Sequence, residues 1–125
     1  MVYLPIKDLD YMNLDWQEKF KSNVIQKEKA GIEYAHAKSN SWYQQKLEKQ
    51  IIAKIILGLE SKKSMTEKER IAYASDEYAT YLLETKEAIS KEILANVQYE
   101  KQENIFEGLR SLCSFEKKTQ YHLGE

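Results

Sequence analysis

Residues 69–83 read ERIAYASDEYATYLL, and the reading of this stretch decides the fold. Ile71, Ala74, Tyr78 and Tyr81 fall at three- and four-residue intervals, the spacing that gathers side chains on one face of an α-helix. As a strand, the same four would scatter over both faces. The smallest side chains alternate with broad tyrosine rings, and acids and bases take the positions between. No nucleophile, base or ligand cluster stands among them, so the pattern speaks of packing. Seam alanines are expected to let backbones approach closely. The tyrosines are expected to fill the gaps with their hydroxyls near solvent.

The same spacing continues through Thr85, Ala88, Glu92, Ala95, Tyr99, Gln102, Phe106, Leu109 and Cys113. All but Thr85, Glu92 and Gln102 are apolar or amphipathic, which fits a left-handed coiled coil. Leu82, Ile89 and Ile93 widen the stripe, so more than one partner helix is expected. No glycine lies between Gly58 and Gly108 and no proline follows Pro5. A second helix is therefore expected over residues 66–119. At 1.5 Å per residue a helix of about 50 residues is roughly 75 Å long, and it needs partners along its length.

Upstream, GLESKKSM (58–65) reads as a connection. Ser64 with Glu67 forms one capping box and Thr66 with Glu69 another; either starts the second helix. A first helix is expected over 16–60, capped by Asp15. Its weak point is Ser39–Asn40–Ser41, whose side chains compete for backbone hydrogen bonds. Gly31 costs about 1 kcal/mol there without ending the helix. Leu47, Ile51, Ile52, Ile55, Ile56 and Leu59 near the turn, then Trp42, Ala35 and Phe20, form its inward face. Residues 1–15 are expected as an extended arm, since Pro5 disfavours helix at Leu4. The fold class expected is all-α: one helical domain, a long antiparallel, coiled-coil-like hairpin. Two bare helices bury little surface for their entropy cost, so a homo-oligomer is expected. Ile71, Tyr78, Tyr81, Leu82, Ile89, Tyr99, Phe106 and Leu109 are placed at the interface between copies.

Composition agrees with one helical domain. The 125 residues are 42% apolar and 31% charged, with net charge −1. That is too apolar for a disordered chain and too charged for a large core. One proline and four glycines are few for a β-rich fold. No run of about 20 apolar residues suits a membrane span. The opening MVYLPIKDLDYM lacks the basic start and apolar stretch of a signal peptide. The single cysteine, Cys113, forms no internal disulfide, and a cytoplasmic location is expected.

Chemistry is sparse. Glu33 and His36 have the Glu-x-x-His spacing of a di-iron helix, but His122 has Thr119 three residues before it, so the second pair is missing. Asp8, Asp10 and Asp15 lack the central glycine and later glutamate of a calcium loop. Cys113 has no sequence-adjacent base and lies on the apolar stripe, where a buried structural thiol is expected. No cofactor and no enzymatic activity are expected. Basic residues are more suggestive. Lys54, Lys62, Lys63, Lys68 and Arg70 surround the turn. Arg110, Lys117 and Lys118 lie beside Phe115 and Tyr121. Cations interleaved with aromatics suit single-stranded nucleic acid, because charges meet phosphates and rings stack bases. The same residues also read as a solubilising surface with pairs such as Glu87–Lys91. Oligomerisation repeats each small patch and produces avidity.

From residue 35 to 118 the layout resembles that of UvsY-type recombination mediators of tailed phages. The resemblance rests on AHAKSNSWYQQKLEKQ (35–50), ERIAYASDEYATYLLETKEA (69–88) and FEGLRSLCSFEKK (106–118). It implies a helical ring oligomer that binds single-stranded DNA and helps load a strand-exchange recombinase. By position, Lys54 would be the basic residue before the turn, with Lys62 and Lys63 as its neighbours. This chain departs from the pattern at Ile55 and Ile56, where a second base would sit. The alternatives are a protein-interaction module aimed at a host protein, such as a phage anti-defence inhibitor or assembly adaptor, and a virion coiled-coil protein.

Overall fold

A computed structural model describes the backbone of residues 6–123 and the side chains of residues 15–118. The chain is all-α. Four helices follow in order: α1 (Ile6–Lys46), α2 (Glu48–Leu57), α3 (Met65–Tyr73) and α4 (Asp76–Leu123), with no strand among the described residues. They form two compact units, one of Met1–Glu33 with Asn96–Glu125 and one of Tyr34–Ala95. No helix among the described residues is long and apolar enough to cross a membrane.

The helix boundaries differ from the sequence expectation at three places. First, α1 begins at Ile6 instead of Trp16. Residues 6–15 contain neither glycine nor proline, so nothing there interrupts helical hydrogen bonding. The extended arm can apply only to residues 1–5, which lie outside the described residues. Asp15, expected as a cap, sits inside α1 and pairs with Lys19 one turn on, at 3.1 Å.

Second, the first helix breaks at Leu47 and not at 39–41. Ser41 is buried, and its hydroxyl accepts from Gln45 Nε2 at 3.0 Å while the backbone stays helical. The ladder fails later because Tyr81 intrudes on it. Its hydroxyl donates to the Gln44 carbonyl at 2.7 Å and lies 3.2 Å from the Gln45 carbonyl. The Gln44 carbonyl also takes the Leu47 amide, three residues on, at 3.3 Å. Insertion of a side chain into the ladder is a known cause of helix interruption. Tyr81 therefore buries the hydroxyl that was expected near solvent.

Third, the second helix is not continuous from residue 66. Ser75 Oγ donates to the Ala72 carbonyl at 2.6 Å and accepts the Tyr78 amide at 3.2 Å. One side chain thus closes α3 and caps α4, and Asp76 and Glu77 complement the dipole in the first turn. The break shifts the helical phase. Ala74, expected on the seam, is exposed, and Ala72 is fully buried instead.

The unit of Tyr34–Ala95 contains the turn. Ser64 Oγ accepts the Glu67 amide at 3.2 Å, which makes Ser64 and not Thr66 the N-cap of α3. Gly58 keeps a right-handed backbone (φ −82°). Across the turn α2 packs on α3, with Ile52 and Ala72 buried. Burying an isoleucine such as Ile52 contributes about 2 kcal/mol. Farther from the turn, Glu48 accepts from the Tyr78 hydroxyl at 2.9 Å, and Gln44 meets Tyr81 and Thr85. Rising positions on α1 and α2 meet falling positions on α4. Thr85, Ala88, Glu92 and Ala95 all lie half-buried on the expected seam. On α1 the covered positions are Tyr34, Ala37, Ser41 and Gln44. Ala35 and Trp42, expected inward, are exposed, each one residue out of phase with that seam.

In the unit of Met1–Glu33 and Asn96–Glu125 the pairing order is the same. Phe20 meets Phe106 with ring centroids 5.2 Å apart. Asn23 Nδ2 donates to the Gln102 carbonyl and to its Oε1 at 3.2 and 3.1 Å. Gly31 faces Tyr99, whose ring would stand 3.2 Å from a Cβ at position 31. Tyr99, Gln102, Phe106, Leu109 and Cys113 are half-buried, as the heptad spacing predicts.

Candidate nucleic-acid interface

The most chemically loaded surface lies in the unit of Met1–Glu33 and Asn96–Glu125. The 3-4 spacing puts Trp16 and Phe20 on the covered face of α1, and Phe106, Leu109 and Cys113 on that of α4. The Phe20–Phe106 ring pair closes the seam. Beside it is a groove of about 740 Å³ with Trp16, Phe20 and Cys113 as its apolar lining. Lys21, Arg110 and Lys117 line the same groove, against the single acid Glu116. Three cations less one carboxylate leave it with a charge of +2. Aromatic faces and cations thus share one concave surface on a chain whose total charge is −1.

A second hollow of about 380 Å³ lies along α4 and is lined by Glu107, Arg110, Ser111, Ser114, Phe115 and Lys118. Arg110 and Ser114 border both. The Arg110 guanidinium stands 3.9 Å from Glu107, with both side chains largely exposed. Such a surface pair contributes about 0–1 kcal/mol, too little to hold Arg110 against a phosphate. Lys27 lies 4.4 Å above the Phe106 ring and adds a further cation to this seam.

The structure therefore brings together three of the cations expected to bind nucleic acid, Arg110, Lys117 and Lys118. It adds three residues that sequence reasoning left out: Trp16, Phe20 and Lys21. The remaining candidates belong to the other unit. Lys54, Lys62, Lys63 and Arg70 are exposed and Lys68 is half-buried around the turn, with no ion pair to a described residue.

The residues expected between copies are mostly engaged inside the chain. Tyr81 is 4% exposed and bonded to Gln44, Tyr78 is bonded to Glu48, Phe106 is paired with Phe20, and Tyr99 stands over Gly31. Ile71, Ile89 and Leu109 are half-buried, and Leu82 alone of the set is exposed. Glu33 and His36 are exposed, and no group that could hold a metal ion occurs among the described residues. Cys113 is half-buried and borders the groove. The side chains of Asp8, Asp10, Thr119, Tyr121 and His122 lie outside the described residues. No protein-family model matches the chain, and no curated protein or solved structure matches it.

Proposed function

We propose that this chain is a non-enzymatic, homo-oligomeric helical hairpin that binds single-stranded DNA and assists a strand-exchange recombinase. The groove of Trp16, Phe20, Lys21, Arg110 and Lys117 carries the reading. Bases stack on the Trp16 and Phe20 rings, a contact worth about 1–3 kcal/mol per base. Phosphates meet Lys21, Arg110 and Lys117. A single strand suits the surface better than a duplex, because only unpaired bases offer their faces to rings. The opposed pairing order within each unit supports an antiparallel hairpin. The oligomer is supported by how little the chain buries alone: among the described residues only Ala30, Ile52, Ala72 and Tyr81 form a buried apolar core. The recombinase and the cytoplasm of a phage-infected host follow from the resemblance and the lone cysteine.

Fluorescence anisotropy of a labelled oligothymidine tests this. Three phosphate contacts predict salt-dependent binding with a log–log slope of about −2, and Arg110→Ala or Lys117→Ala should each flatten the slope by about 0.7. Absence of binding at low salt, with the protein folded, contradicts the reading.

One observation favours a second reading. Trp42 and Tyr43 are adjacent on α1 and 61% and 60% exposed. Trp and Tyr are typical anchors of protein interfaces. A host protein retained from lysate after nuclease treatment, and lost with Trp42→Ala, would favour a protein-interaction module.

A further inference from the structure

We infer that one edge of the Tyr34–Ala95 unit is a docking site for an acidic amphipathic helix of a partner protein, which lies along α1 and α4 as a third helix. This site rests on the protein-interaction reading and gives its partner a chemistry. It is independent of the single-strand groove, which belongs to the other unit.

The seam defines the edge. Ala37, Ser41 and Gln44 are covered on α1, and Tyr81, Thr85, Ala88 and Glu92 on α4. The residue after each of these lies about 100° farther round its helix. Gln44 meets Thr85 and Glu48 meets Tyr78, so the helices pair in opposed order here. Turning the same way from the seam then reaches the same side of both helices. Trp42 and Lys38 on α1 therefore share a side with Leu82, Lys86, Ile89 and Ile93 on α4.

This side is apolar and open. Trp42, Leu82 and Ile93 are 61%, 49% and 57% exposed, and Ile89 is half-buried. Scattered exposed apolar residues are ordinary. Leu82, Ile89 and Ile93, however, are separated by seven and four residues, the spacing of a helix–helix contact. They widen the stripe of α4 beyond what α1 covers, and Trp42 faces the same side across the seam.

Charge decides the occupant. Lys38 and Lys86 stand on the edge, and the Lys46 ammonium lies over the Trp42 ring, 5.8 Å from its centroid. None of the three is ion-paired with a described residue. The remaining positions of the edge, Ala35, Gln45 and Ala79, are uncharged. The acids of α4 lie elsewhere. Glu92 is on the seam, Glu77 and Glu84 precede seam positions and so take the opposite edge, and Glu87 pairs with Lys91 at 3.5 Å. Three cations without an acid leave this edge at +3. A second copy presenting the same edge would set like charge against like. Its opposite edge offers Glu77 and Glu84 but no exposed large apolar residue among those described. A single strand would meet the cations, yet Leu82, Ile89 and Ile93 offer no ring on which a base could stack. A helix with an apolar stripe flanked by acids satisfies the stripe and the cations together.

Fluorescence anisotropy with the full-length chain tests the site. The probe is a labelled peptide of about three heptads, with leucine at a and d and glutamate at e and g; a control peptide has lysine at e and g. The acidic peptide should bind at least about tenfold more tightly than the basic one, and added salt should narrow the difference. Leu82→Glu with Ile93→Glu should weaken its binding by more than about tenfold. Leu83→Glu with Leu94→Glu, at exposed positions off the edge, should leave it unchanged. Lys38→Glu with Lys86→Glu should turn the preference toward the basic peptide, and it carries the test if the Leu82/Ile93 variant loses helicity by circular dichroism. Excess oligothymidine should leave the peptide bound. Equal binding of the two peptides, or binding of neither, overturns the acidic helix as occupant; a lysate protein still retained through Trp42 then leaves the protein-interaction reading standing. Equal loss in the Leu83/Leu94 variant overturns the edge. Displacement by oligothymidine overturns the protein partner in favour of nucleic acid.

Discussion

The Tyr81 hydroxyl donates a 2.7 Å hydrogen bond to the Gln44 carbonyl, and the first long helix gives way three residues beyond that carbonyl, at Leu47. The two facts have one cause. A carbonyl that serves a tyrosine hydroxyl and an i+3 amide is drawn out of the regular ladder. Tyr81→Phe keeps the ring and removes the donor. It should cost about 1 kcal/mol in urea unfolding. The Glu48 amide should then regain the Gln44 carbonyl and exchange more slowly. Unchanged stability and unchanged exchange would show that the helix breaks for another reason.

Ser64 caps α3 through the Glu67 amide at an exposed site. Ser64→Ala should destabilise the chain by about 1 kcal/mol, and Ser64→Asp should retain stability because it keeps the acceptor and adds charge at the helix N-terminus. Differential scanning calorimetry of the three proteins checks the order.

Asn23 is 4% exposed, and its Oδ1 has no partner while its amide serves Gln102. A buried polar pair on a coiled-coil seam sets register at a cost in stability. Replacing both partners removes that cost. Asn23→Leu with Gln102→Leu should unfold at higher urea than the unmodified chain, whereas Gln102→Leu alone should unfold at lower urea. A double variant weaker than either single one contradicts this.

Tyr78 donates to Glu48 at 2.9 Å, and the bond to that carboxylate, then desolvation and the negative charge, raises the phenol above its ordinary value of 10.0. A raised folded-state pKa means that the contribution is complete below the unfolded value and fades as pH climbs through the folded one. Unfolding measured from pH 8 to 12 should therefore show a steeper alkaline loss for the unmodified chain than for Tyr78→Phe. Coincident slopes would exclude the Tyr78–Glu48 bond as a contributor.

The all-helical class and the α4 seam could be read in the sequence because both depend on periodicity, which local geometry enforces. Tyr99, Gln102, Phe106, Leu109 and Cys113 stand where the 3-4 count places them. The breaks were less legible. Leu47 yields to a hydroxyl from a residue 34 positions away, and no local propensity encodes that. Ser75 was legible: a serine followed by Asp76 and Glu77 is a helix-start signal, overlooked because the apolar repeat runs on through it. The groove was legible in half. Arg110 and Lys117 carry a visible mixture of charge and aromatics. Trp16, Phe20 and Lys21 needed a contact between distant segments: Phe20 meets Phe106, and one turn farther along Trp16 and Arg110 line the same groove.

The central claim is that single-stranded DNA stacks in the groove that holds Trp16. The chain has two tryptophans, Trp16 and Trp42, so Trp42→Phe leaves Trp16 as the only indole reporter. Titration of that variant with oligothymidine at low salt should quench its emission to a saturating plateau, and added salt should restore it. Emission that stays constant while anisotropy reports binding would place the DNA elsewhere on the chain and contradict the account.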